Sequence, residues 1–236
     1  MFVITLDCDW VPDFILDDVV NLFNEKNVKA VFFITNDSPT VQKLRKNPLF
    51  EVGIHPNFFP NSSHGNDIDS VLKYLKEIIP EAKSIRTHGL YQSTPLLKKF
   101  QEYGIENDVS ILLSKTPNLT SHYSKFFNLY RFPYFWEDDV EMDEEYKWSL
   151  DNPLFHKEGL KIFNFHPIHV YLNSRKMNQY NSLKEEVGLN NVNENNIKNY
   201  INKNKNGAKD FLEEIISHLE NKDTFTIQNL KKKISI

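Results

Sequence analysis

The sequence predicts an α/β fold in which a parallel sheet is covered by helices and closes, or nearly closes, as a barrel. Three observations carry this. Short apolar runs alternate with amphipathic stretches through the first two thirds of the chain, and the runs are apolar nearly throughout, as strands buried on both faces must be. The length of 236 residues suits one such unit, so residues 1–236 are read as a single domain.

The elements follow in order. "FVITL", residues 2–6, reads as a buried strand, and Ile15, Leu16, Val19, Val20, Leu22 and Phe23 then keep helical spacing up to "NEKN". "KAVFFIT" is the second strand, and "PTVQKLRKN" a short helix capped by Ser38 ahead of Pro39. "FEVGIH" is the third strand, followed by the helix "DIDSVLKYLKEII" with Ile68, Val71, Leu72, Leu75, Ile78 and Ile79 on one side. "KSIRTH" is the fourth strand, and "STPLLKKFQEYG" a helix capped by Ser93 and ended by Gly104. "IENDVSILL" and "LYRFPYF" are extended pieces, and "LKIFNFH" is a late strand. Residues 173–206 are rich in Asn and Lys and poor in large apolar residues, the composition of a mobile surface insertion and a candidate lid. "AKDFLEEIISHLENK" restores an amphipathic helix, and "TFTIQNLKKKISI" closes the chain as an extended piece and a short helix.

Composition narrows the function classes. Hydrophobic residues are 40% of the chain and phenylalanines number 18, enough for a sizeable core. Net charge is −4 with both signs intermixed, which offers no basic field to nucleic acid and no polybasic patch to a membrane. Asp7 interrupts the first apolar run and no stretch approaches 18 apolar residues, so neither a secretory signal nor a transmembrane helix is expected, and a cytoplasmic location is. The lone Cys8 excludes an intrachain disulfide. The seven glycines form neither GxGxxG nor a phosphate-binding loop.

The main signal lies at the strand ends. The first strand ends in Asp7 and Asp9, the third in His55, the fourth in Arg86 and His88, and the late strand in His166 and His169. Five of the eight histidines fall in "GIHPNFFPNSSHG", "IRTHGL" and "FNFHPIHV", and parallel strands share one C-terminal face, so these side chains should converge. If both stay extended, Asp7 and Asp9 point to the same side. Side by side, two carboxylates repel unless a cation sits near them, and a divalent ion would leave one as ligand and the other as general base. His55, His64 and Asp9 suit a zinc-like ion with an open water position, provided the loop "PNFFPNSS" brings the two imidazoles together.

Arg86 beside Asp7 would orient its carboxylate, and His166 across a substrate could protonate a leaving group. Tyr134, Phe135 and Trp136 beside Glu137, Asp138 and Asp139 could form a sugar-contacting wall, with Asp138 or Asp139 orienting His166. Arg131 is a candidate for an anionic substrate group, and His169 either supports His166 or is structural. The residues alone also admit blander roles: Asp7 and Asp9 capping backbone amides, His64 as a solvated loop histidine, His166 as a core histidine bonded to backbone.

The motif order resembles the polysaccharide deacetylases of the NodB-homology type (carbohydrate esterase family 4-like). It is closest to the branch linked to lipopolysaccharide and O-antigen biosynthesis, through "GIHPNF", "RTHGL" and "FHPIHVYLN" across residues 2 to 174. The resemblance implies a distorted, partly open (β/α) barrel and a metal-dependent enzyme that removes N- or O-acetyl groups from a sugar or glycan precursor. It implies zinc, with cobalt or nickel as substitutes. Carried over residue by residue, Asp7 is the base, Asp9, His55 and His64 hold the metal, Arg86 belongs to the catalytic set, and His166 is the acid. Two departures stand out: "HPNFFPNSSH" stretches the usual gap between the metal histidines, and "IRTHGLY" has no proline after Arg86, leaving His88 without an inherited role and, with His169, a candidate substrate contact. Two other functions remain open from sequence, a hydrolase of another C–N bond on the same metal site and a non-catalytic sugar-binding homologue. A metallophosphoesterase would need GNH and GHxH segments, which the chain lacks.

Overall fold

The structure, a computed structural model, describes residues 1–144 and 147–234. Glu145 and Tyr146 of the acidic stretch, and Ser235 and Ile236 at the end of the predicted C-terminal helix, lie outside the described residues. Among the described residues nine strands form one sheet. Its centre is built from β1 (Phe2–Asp7), β2 (Ala30–Ile34), β3 (Phe50–Ile54) and β9 (Lys161–Phe165), all parallel and fully or nearly buried. On one side β3 continues through β4 (Ser84–Ile85) and β5 (Asn107–Asp108) to β7 (Leu129–Arg131), edged by the antiparallel β6 (His122–Ser124). On the other side β9 pairs with β8 (Trp136–Glu137).

The segment from Leu129 to Glu137 starts beside β5 and ends beside β9, and a bridge between Leu112 and Tyr134 extends it. One piece of chain thus reaches both flanks, and the sheet curves into a partly open barrel with helices on its outside. This is the architecture the alternation of strands and helices predicts.

The helices begin where their caps dictate. α2 (Pro39–Leu44) starts at Ser38, whose Oγ accepts from Val41 N, and α3 (Ile68–Ile78) starts in a capping box between Asp67 and Ser70. α4 (Thr94–Glu102) is capped by Ser93, while α1 (Asp13–Lys26) stops at Asn27 in the left-handed region. Gly53 in β3 is required by close approach: a Cβ there would lie 2.7 Å from the Ser84 carbonyl oxygen and 2.8 Å from the Phe33 ring.

The core is aromatic where β8 and β9 meet α8 (Ala208–Leu219). Phe211 lies 5.0 Å from Trp136 and 6.2 Å from Phe165, and Phe163 and Phe155 fill the space behind them. α9 (Ile227–Ile234) closes the chain as the sequence predicts, set against the barrel by Ile227 and Leu230.

Two parts differ from the sequence expectation. α5 (Asp138–Glu144) and α6 (Pro167–Leu172) are short helices at strand exits, α6 using Pro167 at its first turn, where no backbone donor is needed. The Asn-rich 173–206 segment contains α7 (Asn178–Glu186) and two short helical turns, helices that the sequence reading did not place. Leu183 and Ile197 anchor it in a small apolar cluster with Ile15 and Leu172.

Candidate metal centre and active site

The C-terminal ends of β1, β3, β4, β8 and β9 open on one cleft lined by Asp7, Asp9, His55, His88, Glu137 and His166. The chain does not stay extended after β1. Cys8 N donates to Phe33 O, Asp9 has φ 22° and Trp10 φ 54°, so the strand breaks and the two carboxylates take different partners.

Asp7, buried, receives Arg86 Nη1 at 3.1 Å on Oδ1 and Asn164 Nδ2 at 2.9 Å on Oδ2. Arg86 is itself fully buried, its guanidinium held between the Phe33 and Tyr134 rings, with Nε donating to Val109 O and Nη1 to Thr5 Oγ1 and Asn164 Oδ1. β4 ends at Ile85, so strand alternation does not place Arg86 and His88. Backbone bonds from Arg86 N to Ile54 O and from His88 N to Pro56 O do.

Asp9 faces two imidazoles. Its Oδ1 lies 3.2 Å from His55 Nε2 and 3.2 Å from His88 Nδ1, and those nitrogens are 3.3 Å apart. His55 Nδ1 donates to Arg86 O at 2.8 Å, which in the neutral ring turns the Nε2 lone pair toward Asp9. Asp9 Oδ1 is buried yet makes no hydrogen bond of acceptable angle among the described residues. Three electron-pair donors facing one another require a shared proton or a cation. Ligands about 2.0 Å from a tetrahedral zinc ion stand about 3.3 Å apart, which these separations match. Carboxylate and two imidazoles therefore fit a zinc-like ion. Burial opposes ionisation of Asp9, but its contacts with His55 and His88 and the charge of His166 hold its carboxyl well below the usual carboxylate range.

His64 is not part of this triad among the described residues. It stacks on Tyr74 and packs against Trp10, its Nδ1 accepts from Asn57 N at 3.1 Å, and burial with the neighbouring His55 lowers its pKa to about 4. The loop between His55 and His64 is long enough to fold back, but it delivers the second ring against Trp10. The His88 ring, arriving from β4, stands where the sequence expectation put His64.

His166 closes the cleft. Its Nδ1 lies 2.7 Å from Asp138 Oδ1, Asp138 Oδ2 accepts from His166 N, and its Nε2 lies 3.7 Å from Asp9 Oδ2. Burial disfavours the imidazolium, yet the Asp138 carboxylate, with Asp139 and Asp9 nearby, raises the His166 pKa well above its ordinary value. Such a ring can donate a proton from Nε2 into the cleft. His169 sits behind it, edge-on at 5.7 Å, its Nδ1 3.3 Å from Ser174 Oγ and its pKa lowered by burial to about 4.

The aromatic sugar wall is corrected by the structure. Trp136 is 1% exposed and donates Nε1 to Glu141 Oε2, and Tyr134 is 0% exposed with its hydroxyl on Glu137 Oε2, so neither can meet a substrate. Arg131 is likewise taken up, by Asp108 Oδ2 at 2.8 Å and by Gln92. Tyr134, Phe135 and Trp136 are all buried because this segment belongs to a barrel wall covered on both faces, Tyr134 packing on Arg86 and Trp136 on Phe211. The sequence reading missed Asn164 and Thr5, which tie Asp7 to Arg86, and the role of Glu137, which accepts from Asn164 Nδ2 at 2.9 Å and whose pKa burial and Asp139 raise to about 7. A signal existed: Thr5 and Asn164 are polar residues inside otherwise apolar strands.

Residues 4–184 match the family model of WbmS-like polysaccharide deacetylases. The chain belongs to this family. Among solved structures, WbmS of Bordetella bronchiseptica, described as a polysaccharide deacetylase involved in O-antigen biosynthesis, is 32% identical, with TM-score 0.83 over 92% of this chain and 90% of its own. The Xyl-CE4 domain of a multidomain xylanase from the Trinervitermes trinervoides hindgut metagenome (15% identity, TM-score 0.51, covering 100% of this chain and 91% of that one) shares the fold. So does the peptidoglycan deacetylase PdaC of Bacillus subtilis (12%, 0.50, 100% and 91%). No curated protein matches the chain. Membership of the deacetylase family supports a hydrolase acting on acetylated carbohydrate, and no helix among the described residues is long and apolar enough to cross a membrane.

Proposed function

We propose that the protein is a metal-dependent hydrolase that removes an N- or O-linked acetyl group from a sugar or glycan precursor. The observation that carries this reading is the meeting, in one cleft, of three separate units: Asp7 with Arg86, Asp9 with His55 and His88, and His166 with Asp138. Asp9, His55 and His88 would hold a divalent ion, with zinc preferred by that donor set and cobalt or nickel as alternatives. Bound there, the ion supplies Lewis-acid polarisation of the acyl carbonyl and makes water easier to deprotonate.

The chain's own residues do the rest. Arg86 and Asn164 fix both oxygens of Asp7, so that its carboxylate faces the cleft in one orientation and takes the proton of the attacking water. His166, held by Asp138 through Nδ1, gives its Nε2 proton to the departing nitrogen or oxygen. Base and acid thus both line the cleft beside Asp9, His166 Nε2 lying 3.7 Å from Asp9 Oδ2.

Acetate release from a panel of acetylated sugars tests the reading, alongside metal content of the purified protein. Asp7→Asn should lower turnover by about 10²–10⁴-fold, the usual contribution of a positioned base. Asp9→Ala, His55→Ala and His88→Ala should each reduce bound metal, and His64→Ala should leave its stoichiometry intact. Full activity in Asp7→Asn, or full metal in all three ligand variants, would remove the assignment.

A further inference from the structure

A second cavity, about 120 Å³, joins the cleft at Asp9, Asp139 and His166 and runs away from it toward α7. Its far walls are Val11, Ile168, Met177, Leu189 and Val192, with the rings of Trp10 and Tyr180 at the sides. Its ionisable side chains are Asp9, Asp139, His166 and His169, with Tyr180. The polar cleft beyond that junction, about 290 Å³, is lined by Thr87, His88, Gly89 and Glu137 with Asp7 and His55. The two spaces meet where Asp9 and His166 face each other, and the one toward α7 has the larger share of aliphatic side chains in its walls.

A sugar ring carries hydroxyls that lose hydrogen bonds in an apolar chamber, at a cost of about 1–3 kcal/mol for each one left unpaired. An alkyl chain has the reverse preference. The ring belongs in the polar cleft, and the chain on the scissile carbonyl belongs in the apolar one. The apolar chamber is several times larger than the about 10–15 Å³ that one water-sized group needs on the same measure. A single methyl would leave most of it empty.

Resting on the deacetylase reading above, the geometry points to an acyl-chain pocket formed by Val11, Ile168, Met177, Leu189 and Val192, which lets the enzyme take linear acyl groups longer than acetyl, such as propionyl or butyryl, as well as acetyl. The Asn-rich segment then has a role in substrate choice, because three of the five wall residues come from it. The reaction stays balanced as hydrolysis. The acyl C–N or C–O bond breaks, water supplies the hydroxyl of the released carboxylic acid, and a proton goes to the freed amine or hydroxyl.

The test has two arms on the zinc-loaded protein. Calorimetric titration with acetate, propionate, butyrate and pentanoate, the product acids, reads the pocket without needing turnover. Each added methylene should tighten binding by about fourfold until the chamber is full. Leu189→Trp, at a position 38% exposed and outside the main core, should flatten that series. In the second arm, release from N-acetyl, N-propionyl and N-butyryl hexosamines is compared. The native protein should release butyryl as well as acetyl, and the butyryl-to-acetyl ratio of kcat/KM should fall at least tenfold in Leu189→Trp. A flat binding series, or a steep one that Leu189→Trp leaves steep, overturns the pocket. A steep series that Leu189→Trp flattens, with no sugar hydrolysed, keeps the pocket and removes the deacylase reading instead.

Discussion

His166 depends on a neighbour for the protonation state that the proposed chemistry needs. Burial alone would strip its proton, and the Asp138 carboxylate at 2.7 Å reverses that balance. The sign is definite. With its pKa raised above the ordinary histidine value, the ring stays an acid above pH 6.5 and loses its proton only as pH rises through the higher folded-state value. Activity should therefore hold through neutrality and fall on an alkaline limb. Asp138→Asn keeps a hydrogen-bonding group but removes the charge, so that limb should move to lower pH and turnover at pH 8 should drop by about 10²-fold. A pH–rate profile unchanged in Asp138→Asn would show that His166 is not the acid. Arg86 is a second residue whose effect can be stated. Removing a guanidinium that is 0% exposed leaves Asp7 as a buried charge without its counter-ion, so Arg86→Ala should cost about 3–5 kcal/mol in a denaturant titration. An exposed Arg–Asp pair would cost a fraction of that.

Among the elements, those with enough length to show a period were legible. β2 is a continuous apolar run and β1, β3 and β9 are mostly apolar, while α1, α3, α4 and α8 repeat apolar residues every three or four positions. β4, β5 and β8 are two residues each, too short for any pattern, and were visible only as parts of longer runs. The strand-end rule located Asp7, Asp9, His55, Arg86, His88 and His166 together because it depends on topology alone. Which histidine stands beside Asp9 depends on how the His55–His64 loop folds back, and spacing carries no direction.

α7 escaped for another reason. Its exposed side chains are Asn, Lys and Glu, and what holds it is tertiary: Leu183 buried against Ile15 and Leu172. Leu183→Ala should remove about 2–5 kcal/mol of local packing, and amide exchange over residues 178–200 should quicken while that of β1 and β9 stays slow. Uniform exchange across both regions would mean that the segment folds with the barrel as one unit.

For the molecule as a whole, the proposed ion would be a cross-link. Asp9, His55 and His88 leave β1, β3 and β4, so a bound cation ties together three strand exits separated by 33 or more residues of chain. A ligand that binds only the folded state stabilises it by mass action, about 2.7 kcal/mol when free ligand stands at 100 times its dissociation constant. In a domain of this length that corresponds to a rise in Tm of about 5–10 °C. Chelated protein should therefore melt lower than protein given zinc, by a gap that grows with zinc concentration. The expectation separates the candidate ligands from the residues around them. Asp9→Ala and His88→Ala should melt at the same temperature with and without zinc, because the grip on the ion is gone. His64→Ala differs from them: its melting point should fall through lost packing on Trp10 and Tyr74, while its zinc-dependent rise stays whole. If instead His64→Ala abolishes the rise and His88→Ala keeps it, the cation belongs to the triad the sequence predicted, and the loop must swing His64 from Trp10 to Asp9 when the ion arrives.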